Sequence, residues 1–208
     1  MTSRAIVVGV TGASGAAYAQ RLLDVLVGAG YETHLCVSRS GQLVLKHELG
    51  LDLDLEAFDA GQLWLASGAA AAMSPAAFAQ KIHYHHYGNL MAPIASGSFL
   101  TAGMVVCPCS GSTLGSIVHG SGENLIHRAA QVHLKERRKL ALVPRETPLS
   151  IIQLDNLKRA AEAGAIVLPA MPGFYHGPKS IRDLIDFVVA RICDQLGVEH
   201  NLMRRWGT

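Results

Sequence analysis

The sequence predicts an α/β protein in which a mostly parallel sheet carries helices on both faces. Three observations predict it. Strand-like apolar runs alternate with segments of helical periodicity, a glycine-rich turn links the first such pair, and no repeat or linker interrupts the order. With 208 residues, 50% of them hydrophobic and 16% charged, the chain is long enough for one large core. A single domain over residues 1–208 is expected.

Ala5 to Val10 is a β-branched run ending in a glycine-rich turn, and Ala16 to Val27 has apolar residues at helical spacing before the Gly28-Ala29-Gly30 stop. Glu32 to Val37 reads as the second strand and Gly41 to Glu48 as a short helix. Residues 50 to 88 show weak periodicity and read as an excursion with one helix around Pro75 to Lys81. Met104 to Cys107 is the third strand, Gly111 to His119 and Asn124 to Lys135 are helices, and Leu140 to Val143 is the fourth strand. Leu149 to Ala163 reads as a helix and Ala165 to Leu168 as a fifth strand. Ile181 to Leu196 is a long C-terminal helix with Ile, Leu, Phe and Val on one face.

Ligands of such sheets collect beyond the carboxyl ends of the strands. Those positions hold Thr11-Gly12-Ala13-Ser14-Gly15, Ser38-Arg39-Ser40, Cys109-Ser110-Gly111-Ser112-Thr113, Arg145-Glu146-Thr147 and Met171-Pro172-Gly173-Phe174-Tyr175-His176. Glycines let backbone approach a ligand, and the helix after the first turn is expected to offer unpaired N–H groups to an anion. Hydroxyls, amides and guanidinium groups at successive strand ends describe a nucleotide-like pocket. The first turn is Gly9-x-x-Gly12-x-x-Gly15 rather than GxGxxG, and Glu32 begins the second strand while Ser38-Arg39 end it. That favours a mononucleotide with its phosphate on hydroxyls, and leaves an NADP phosphate on Arg39 open.

The net charge of +2 is too small to argue for nucleic acid. Six of the 18 basic residues nevertheless lie between Arg128 and Arg145, a local positive field that suits a small phosphorylated ligand. Within it, Arg137, Arg138 and Lys139 read as a solvated helix end favoured by the dipole. Arg145-Glu146, at a strand end between Pro144 and Pro148, is the stronger functional signal. Few charges also leave apolar surface to bury between subunits, so a homo-oligomer is expected. No signal-peptide pattern and no run of about 18 apolar residues is evident, so a soluble, cytoplasmic protein without a membrane partner is expected. Cys36 and Cys193 read as small buried hydrophobes, and Cys107-Pro108-Cys109 has no second pair to complete a zinc site. His83, His85 and His86 fall in an irregular stretch with no acidic partner nearby, and no metal site is expected.

Several of these segments, in this order, closely resemble the UbiX/Pad1 flavin prenyltransferases. They are Thr11-Gly12-Ala13-Ser14-Gly15, Ala95-Ser96-Gly97-Ser98, Cys107-Pro108-Cys109-Ser110, Leu134-Lys135-Glu136-Arg137-Arg138, Val143-Pro144-Arg145-Glu146-Thr147-Pro148-Leu149 and Pro172-Gly173-Phe174-Tyr175-His176. The resemblance runs from about Ile6 to Trp206 and thins between residues 50 and 88. It implies a Rossmann-like, flavodoxin-like fold that binds FMN and, once the flavin is reduced, transfers the dimethylallyl group of dimethylallyl monophosphate to N5 and C6. The prenylated FMN would serve UbiD-type decarboxylases, in ubiquinone synthesis or aromatic acid breakdown, and the subunits would form a dodecamer with sites between neighbours. By the same resemblance Gly12, Ala13, Ser14, Ser38, Ser110, Gly111, Ser112, Thr113 and Arg145 would contact FMN, with Arg128 at the flavin edge or a subunit interface. Tyr175 and Arg191 would hold the dimethylallyl phosphate, with Lys135, Ser96 and Gly97 completing its anion pocket. Glu48 and Glu146 match acidic positions at the reaction centre, and Trp206 an aromatic near the substrate. Leu90 stands where relatives often carry an aromatic before Met91-Ala92-Pro93.

The reaction accounts for these residue types. Breaking an allylic C–O bond puts positive charge on the prenyl carbon and negative charge on the departing phosphate, which Lys135, Arg145 and Arg191 would stabilise without a metal. Aromatic walls would shield the cation and exclude water. A phosphate oxygen or Glu146 would take the C6 proton. The alternatives are a flavin-dependent cysteine decarboxylase of the same fold and a non-catalytic flavin-binding subunit. Met91-Ala92-Pro93-Ile94 lacks the Pro-x-Met-Asn-x-x-Met-Trp segment expected of the first, and Lys135, Glu146, Tyr175 and Arg191, expected to drift in the second, are all present.

Overall fold

Ile6, Val7, Val8 and Val10 of β1 (Ala5–Val10) are each at most 2% exposed, a burial that only a central strand covered on both faces allows. The structure, a computed structural model, describes residues 4–204. β1 is followed by α1 (Ala16–Gly28), β2 (Glu32–Val37), α2 (Arg39–Leu49), α3 (Pro75–Ala79), β3 (Ile82–Tyr84), β4 (Gly103–Cys109), α4 (Gly111–His119), α5 (Leu125–Lys135), β5 (Leu140–Pro144), α6 (Ile151–Glu162), β6 (Ile166–Val167) and α7 (Ile181–Leu196). All strands run parallel in one sheet of order β3-β2-β1-β4-β5-β6.

Side chains of β1 divide by the two-residue pleat. Ile6, Val8 and Val10 join Leu22, Leu26, Val189 and Ile192 of α1 and α7 in one core, while Val7 joins Met104, Val106, Ile126 and Ala130 in the other. Helix starts follow local chemistry. Ser38, Ser110, Asn124, Ser150 and Ser180 each accept a backbone N–H of the helix they precede, and Ser150 and Ser180 complete capping boxes with Gln153 and Asp183.

The expected α/β fold is present, with one strand more than the sequence predicts. Ile82–Tyr84 pairs with Thr33–Leu35 as an edge strand within the stretch read as an excursion. A strand of three residues offers too few positions for alternation to show. His83 therefore lies in a strand, and the expectation of no acidic partner is wrong: His83 Nε2 is 3.0 Å from Glu32 Oε2, and His86 Nε2 is 3.3 Å from Glu56 Oε1. Among the described residues no helix is long and apolar enough to cross a membrane.

Candidate active site

The sheet order changes direction between β1 and β4, the place where an open parallel sheet leaves a crevice between diverging loops. Thr11 pins it. Its hydroxyl donates to Pro108 O at 2.7 Å and accepts from Ser110 N–H at 2.8 Å, tying the ends of β1 and β4 together from a site 1% exposed. A cavity of about 260 Å³ opens beside this tie, lined by Gly12, Ser38, Ser40, Ser110, Ser112, Thr113, Ser116, Glu123, Asn124 and His127. Gly12 is required here, since a Cβ at that position would lie 2.5 Å from Ser40 Cβ. The first turns of α2 and α4 both open on the cavity through Ser40, Ser112 and Thr113. Two positive helix ends among hydroxyls fit a phosphate.

The helix after the first glycine turn does not serve that purpose, contrary to the sequence-based expectation. Glu48 Oε2 accepts from Gly15 N–H at 2.9 Å and from Ala16 N–H at 2.8 Å, so the start of α1 is already occupied by a carboxylate. Gly15 holds φ +122°, which presents its N–H to Glu48. Desolvation alone would raise the Glu48 carboxyl. Hydrogen bonds from Ser14, Gly15 and Ala16, with Arg145 nearby, outweigh it and hold the group below the ordinary glutamate range. Arg145 Nε donates to Ser14 O at 3.2 Å, closing a chain from the end of β5 to the first turn. Glu146 accepts from Gln153 Nε2 at 3.1 Å, and the same amide lies against Gly111 at the start of α4. Glu48, Arg145 and Glu146 thus stand in one row along the strand ends.

Tyr175 and Arg191 occupy the flank of this row. The Tyr175 ring meets Phe187 edge-on at 5.7 Å, and Arg191, one turn further along α7 and ion-paired with Asp194 at 2.9 Å, lines a groove with Pro169, Met171 and Phe187. Met171 also lines the small cavity of Arg145 and Glu146, which joins the two places.

The remaining predicted residues lie elsewhere on the chain. Lys135 ends α5, just before β5 begins, whereas Arg145 follows the end of β5. Five strand residues separate the two ends of the sheet by roughly 16 Å. Lys135 pairs with Glu136 at 2.8 Å, and Glu136 lies against Gly97. Arg128 donates to Ala95 O at 3.2 Å, so Ser96, Gly97, Arg128 and Lys135 follow one outer seam of α5. Arg138, read from sequence as solvated surface, belongs to that seam too. It is half-buried and donates to Phe99 O at 2.7 Å and to Gly97 O, because the left-handed turn at Arg137 returns the chain towards the loop. Trp206 lies outside the described residues. Leu90 is 48% exposed. Ser40, named among the strand-end positions, lines the cavity as expected, whereas sequence reasoning missed Ser116, Glu123, Asn124 and His127 as cavity residues.

Cysteine chemistry is absent from the site. Cys36, Cys107, Cys109 and Cys193 are buried, and burial pushes their thiols up, Cys109 to about 12.

Comparison with known proteins agrees with the geometry. Residues 1–193 match the Flavoprotein family. The chain is 46% identical over 202 residues to flavin prenyltransferase UbiX of Pseudomonas aeruginosa, covering 97% of this chain and 93% of the relative. Among solved structures, AnUbiX (PadA1) in complex with FMN and dimethylallyl pyrophosphate superposes with a TM-score of 0.82 at 37% identity, covering 99% of this chain and 98% of the other. The dodecameric FMN-dependent UbiX-like decarboxylase of Escherichia coli O157:H7 gives 0.79 at 37% identity, covering 98% and 99%. With similarity of this extent over nearly its whole length, the chain belongs to the UbiX family of flavin prenyltransferases.

Proposed function

We propose that the protein is a cytoplasmic flavin prenyltransferase that joins the dimethylallyl group of dimethylallyl monophosphate to reduced FMN, for use by UbiD-type decarboxylases. The observation that carries this reading is the cavity at the β1/β4 crevice, with two open helix N-termini among serine and threonine hydroxyls, beside the row of Glu48, Arg145 and Glu146. Gly12, Ala13, Ser14, Ser38, Ser110, Gly111, Ser112 and Thr113 hold the flavin nucleotide there. When bound and reduced, FMN supplies the nucleophilic N5 and C6 to which the prenyl group is joined as inorganic phosphate leaves.

The chain's own residues act on charge and position. Arg191 and Tyr175 flank the strand-end row and hold the phosphate of the prenyl donor, where a guanidinium offsets the charge that develops on the leaving oxygen. Arg145 is fixed by Ser14 O near Glu48 and would hold the flavin there. Glu146, oriented by Gln153, receives the proton lost on ring closure. Lys135, Ser96, Gly97 and Arg128 lie on the outer seam of α5 and serve the site of a neighbouring copy in a homo-oligomer, a dodecamer as in the E. coli protein. Exposed apolar side chains available for such contacts include Leu90, Met91, Leu100, Ile151, Ile152, Leu154, Met171 and Phe174.

Anaerobic incubation with reduced FMN and dimethylallyl monophosphate, followed by mass spectrometry of the released flavin, is expected to show FMN heavier by one prenyl unit. Unchanged flavin, with binding confirmed, overturns the reading. Glu146→Gln and Tyr175→Phe are expected to retain FMN and slow product formation; loss of bound flavin in either would assign that residue a structural role. Release of carbon dioxide from an aromatic acid by the purified protein alone would favour a decarboxylase instead.

A further inference from the structure

Tyr175 stands in a tight turn rather than on a helix or strand. Gly177 N–H donates to Phe174 O at 3.1 Å and Gly177 adopts a left-handed φ of +67°, so Tyr175 and His176 are the two central residues of the turn. Tyr175 is 63% exposed there. A phenol on such a loop must give up rotamer freedom before it can hold a phosphate, and a rigid neighbour lowers that cost.

α7 is that neighbour. Val188, Val189, Ala190, Ile192 and Cys193 are each at most 1% exposed, and Asp186 pairs with Arg21 of α1 at 2.6 Å, so the helix is tied to the core. Phe187 carries this rigidity to the turn. Its ring meets Tyr175 edge-on at 5.7 Å and stacks on His176 at 5.4 Å with 18° between the planes, while Tyr175 and His176 meet edge-on at 5.9 Å. These are the arrangements that aromatic quadrupoles prefer. Both His176 ring nitrogens are buried without a partner among the described residues, so the imidazole serves here as a flat ring. Gly173 closes the cluster: a Cβ there would lie 2.9 Å from Tyr175 Cε1 and 3.0 Å from Phe187 Cε2 and Cζ. Phe187 and Arg191, four residues apart on one face of α7, also line the same groove.

We propose, resting on the transferase reading above, that Phe187 is a positioning residue for prenyl transfer: its ring holds the Tyr175 side chain one helical turn from Arg191, so that phenol and guanidinium meet the donor phosphate together. Steady-state kinetics with reduced FMN saturating and dimethylallyl monophosphate varied test it. In Phe187→Leu, which keeps apolar bulk and removes the ring, KM for the donor is expected to rise about fivefold, the worth of one edge-to-face ring pair, while Kd for FMN changes by less than about twofold. Action through Tyr175 has its own signature. In a Tyr175→Phe background the same substitution is expected to add less than about twofold, because the hydroxyl to be positioned is already gone. An undiminished rise in that background, a rise in Kd for FMN equal to that in KM, or an unchanged KM overturns the proposal.

Gly173→Ala covers the case in which the leucine variant does not fold. The new Cβ enters between the two rings from the loop and leaves α7 as it is. The same donor-specific rise in KM, again diminished in the Tyr175→Phe background, is expected; an unchanged KM overturns the proposal. Should the unaltered protein transfer no prenyl group, the transferase reading fails by itself, and calorimetric titration with dimethylallyl monophosphate decides the remainder. Weaker binding in Phe187→Leu that disappears in the Tyr175→Phe background retains Phe187 as the positioning residue, and any other pattern, absence of binding included, removes it.

Discussion

Thr11 shows how one side chain positions the candidate site. Its hydroxyl is the buried link between Pro108 O and Ser110 N–H, and Ser110 in turn caps α4. Thr11→Val keeps the shape and removes the link, leaving Ser110 N–H unpaired. It is expected to lower the urea midpoint by an amount equivalent to about 1–3 kcal/mol with unchanged m, and to weaken FMN binding. Glu48 gives a second residue-level prediction, with a pH signature. Its carboxyl is held below the ordinary range, so its contribution is fully present above the unfolded-state value near 4.5 and is lost as pH falls through the lowered folded value. Glu48→Gln is expected to be less stable than the parent at pH 7, and thermal melts of the two should converge as pH falls from 4.5 through the lowered folded value. The sequence marked Glu48 only as acidic and near a helix end. That it caps another helix depends on packing α2 beside α1, which no local pattern encodes.

Elements were legible where local chemistry and periodicity coincide. α7 was expected at Ile181 to Leu196 and is found there, because Ser180 caps one end, Gly197 in left-handed conformation ends the other, and the apolar face runs unbroken between. α4 was equally clear, between Ser110 and Gly120. β3 was not, since three residues with two polar side chains offer no pattern, and its existence depends on pairing with β2. That edge carries a titratable stack. His34 lies 4.8 Å from the His83 ring and 5.3 Å from the His85 ring, with Phe99 edge-on, and its Nδ1 is 3.0 Å from His85 Nε2. Burial, then the neighbouring His85 and His83, lower His34 to about 4 against the opposing charge of Glu32, which is itself paired with Lys81. The folded protein therefore resists a proton that the unfolded chain accepts near 6.5, so stability falls on acidification between those values. Melting temperature is expected to drop from pH 6.5 towards pH 4, and to drop less in His34→Gln; parallel curves would exclude the stack as the cause.

The whole molecule raises the question that a single chain leaves to its neighbours. Lys135 and Glu146 lie at opposite ends of the sheet, yet the proposed reaction uses both. The sequence already placed Lys135 before the strand that Glu146 follows, but the resemblance assigned both to one reaction and so did not show that a single chain keeps them apart. If one copy supplies Lys135 to the site built by another copy's Glu146, two inactive variants will complement each other. Lys135→Ala and Glu146→Gln are each expected to make little prenylated FMN alone. Co-expressed in equal amounts and purified as mixed oligomers, they should regain about a quarter of parental activity, since a site drawing one residue from each of two randomly chosen copies is intact one time in four. A site formed within one chain would regain nothing, because every chain carries a lesion. The same argument applies to the exposed apolar surface. Met91 is 93% exposed on the described chain, and Met91→Glu is expected to shift the protein to smaller species in sedimentation and to abolish complementation. Mixed oligomers that remain inactive while sedimenting at the parental size would return both residues to a single chain and refute the shared site.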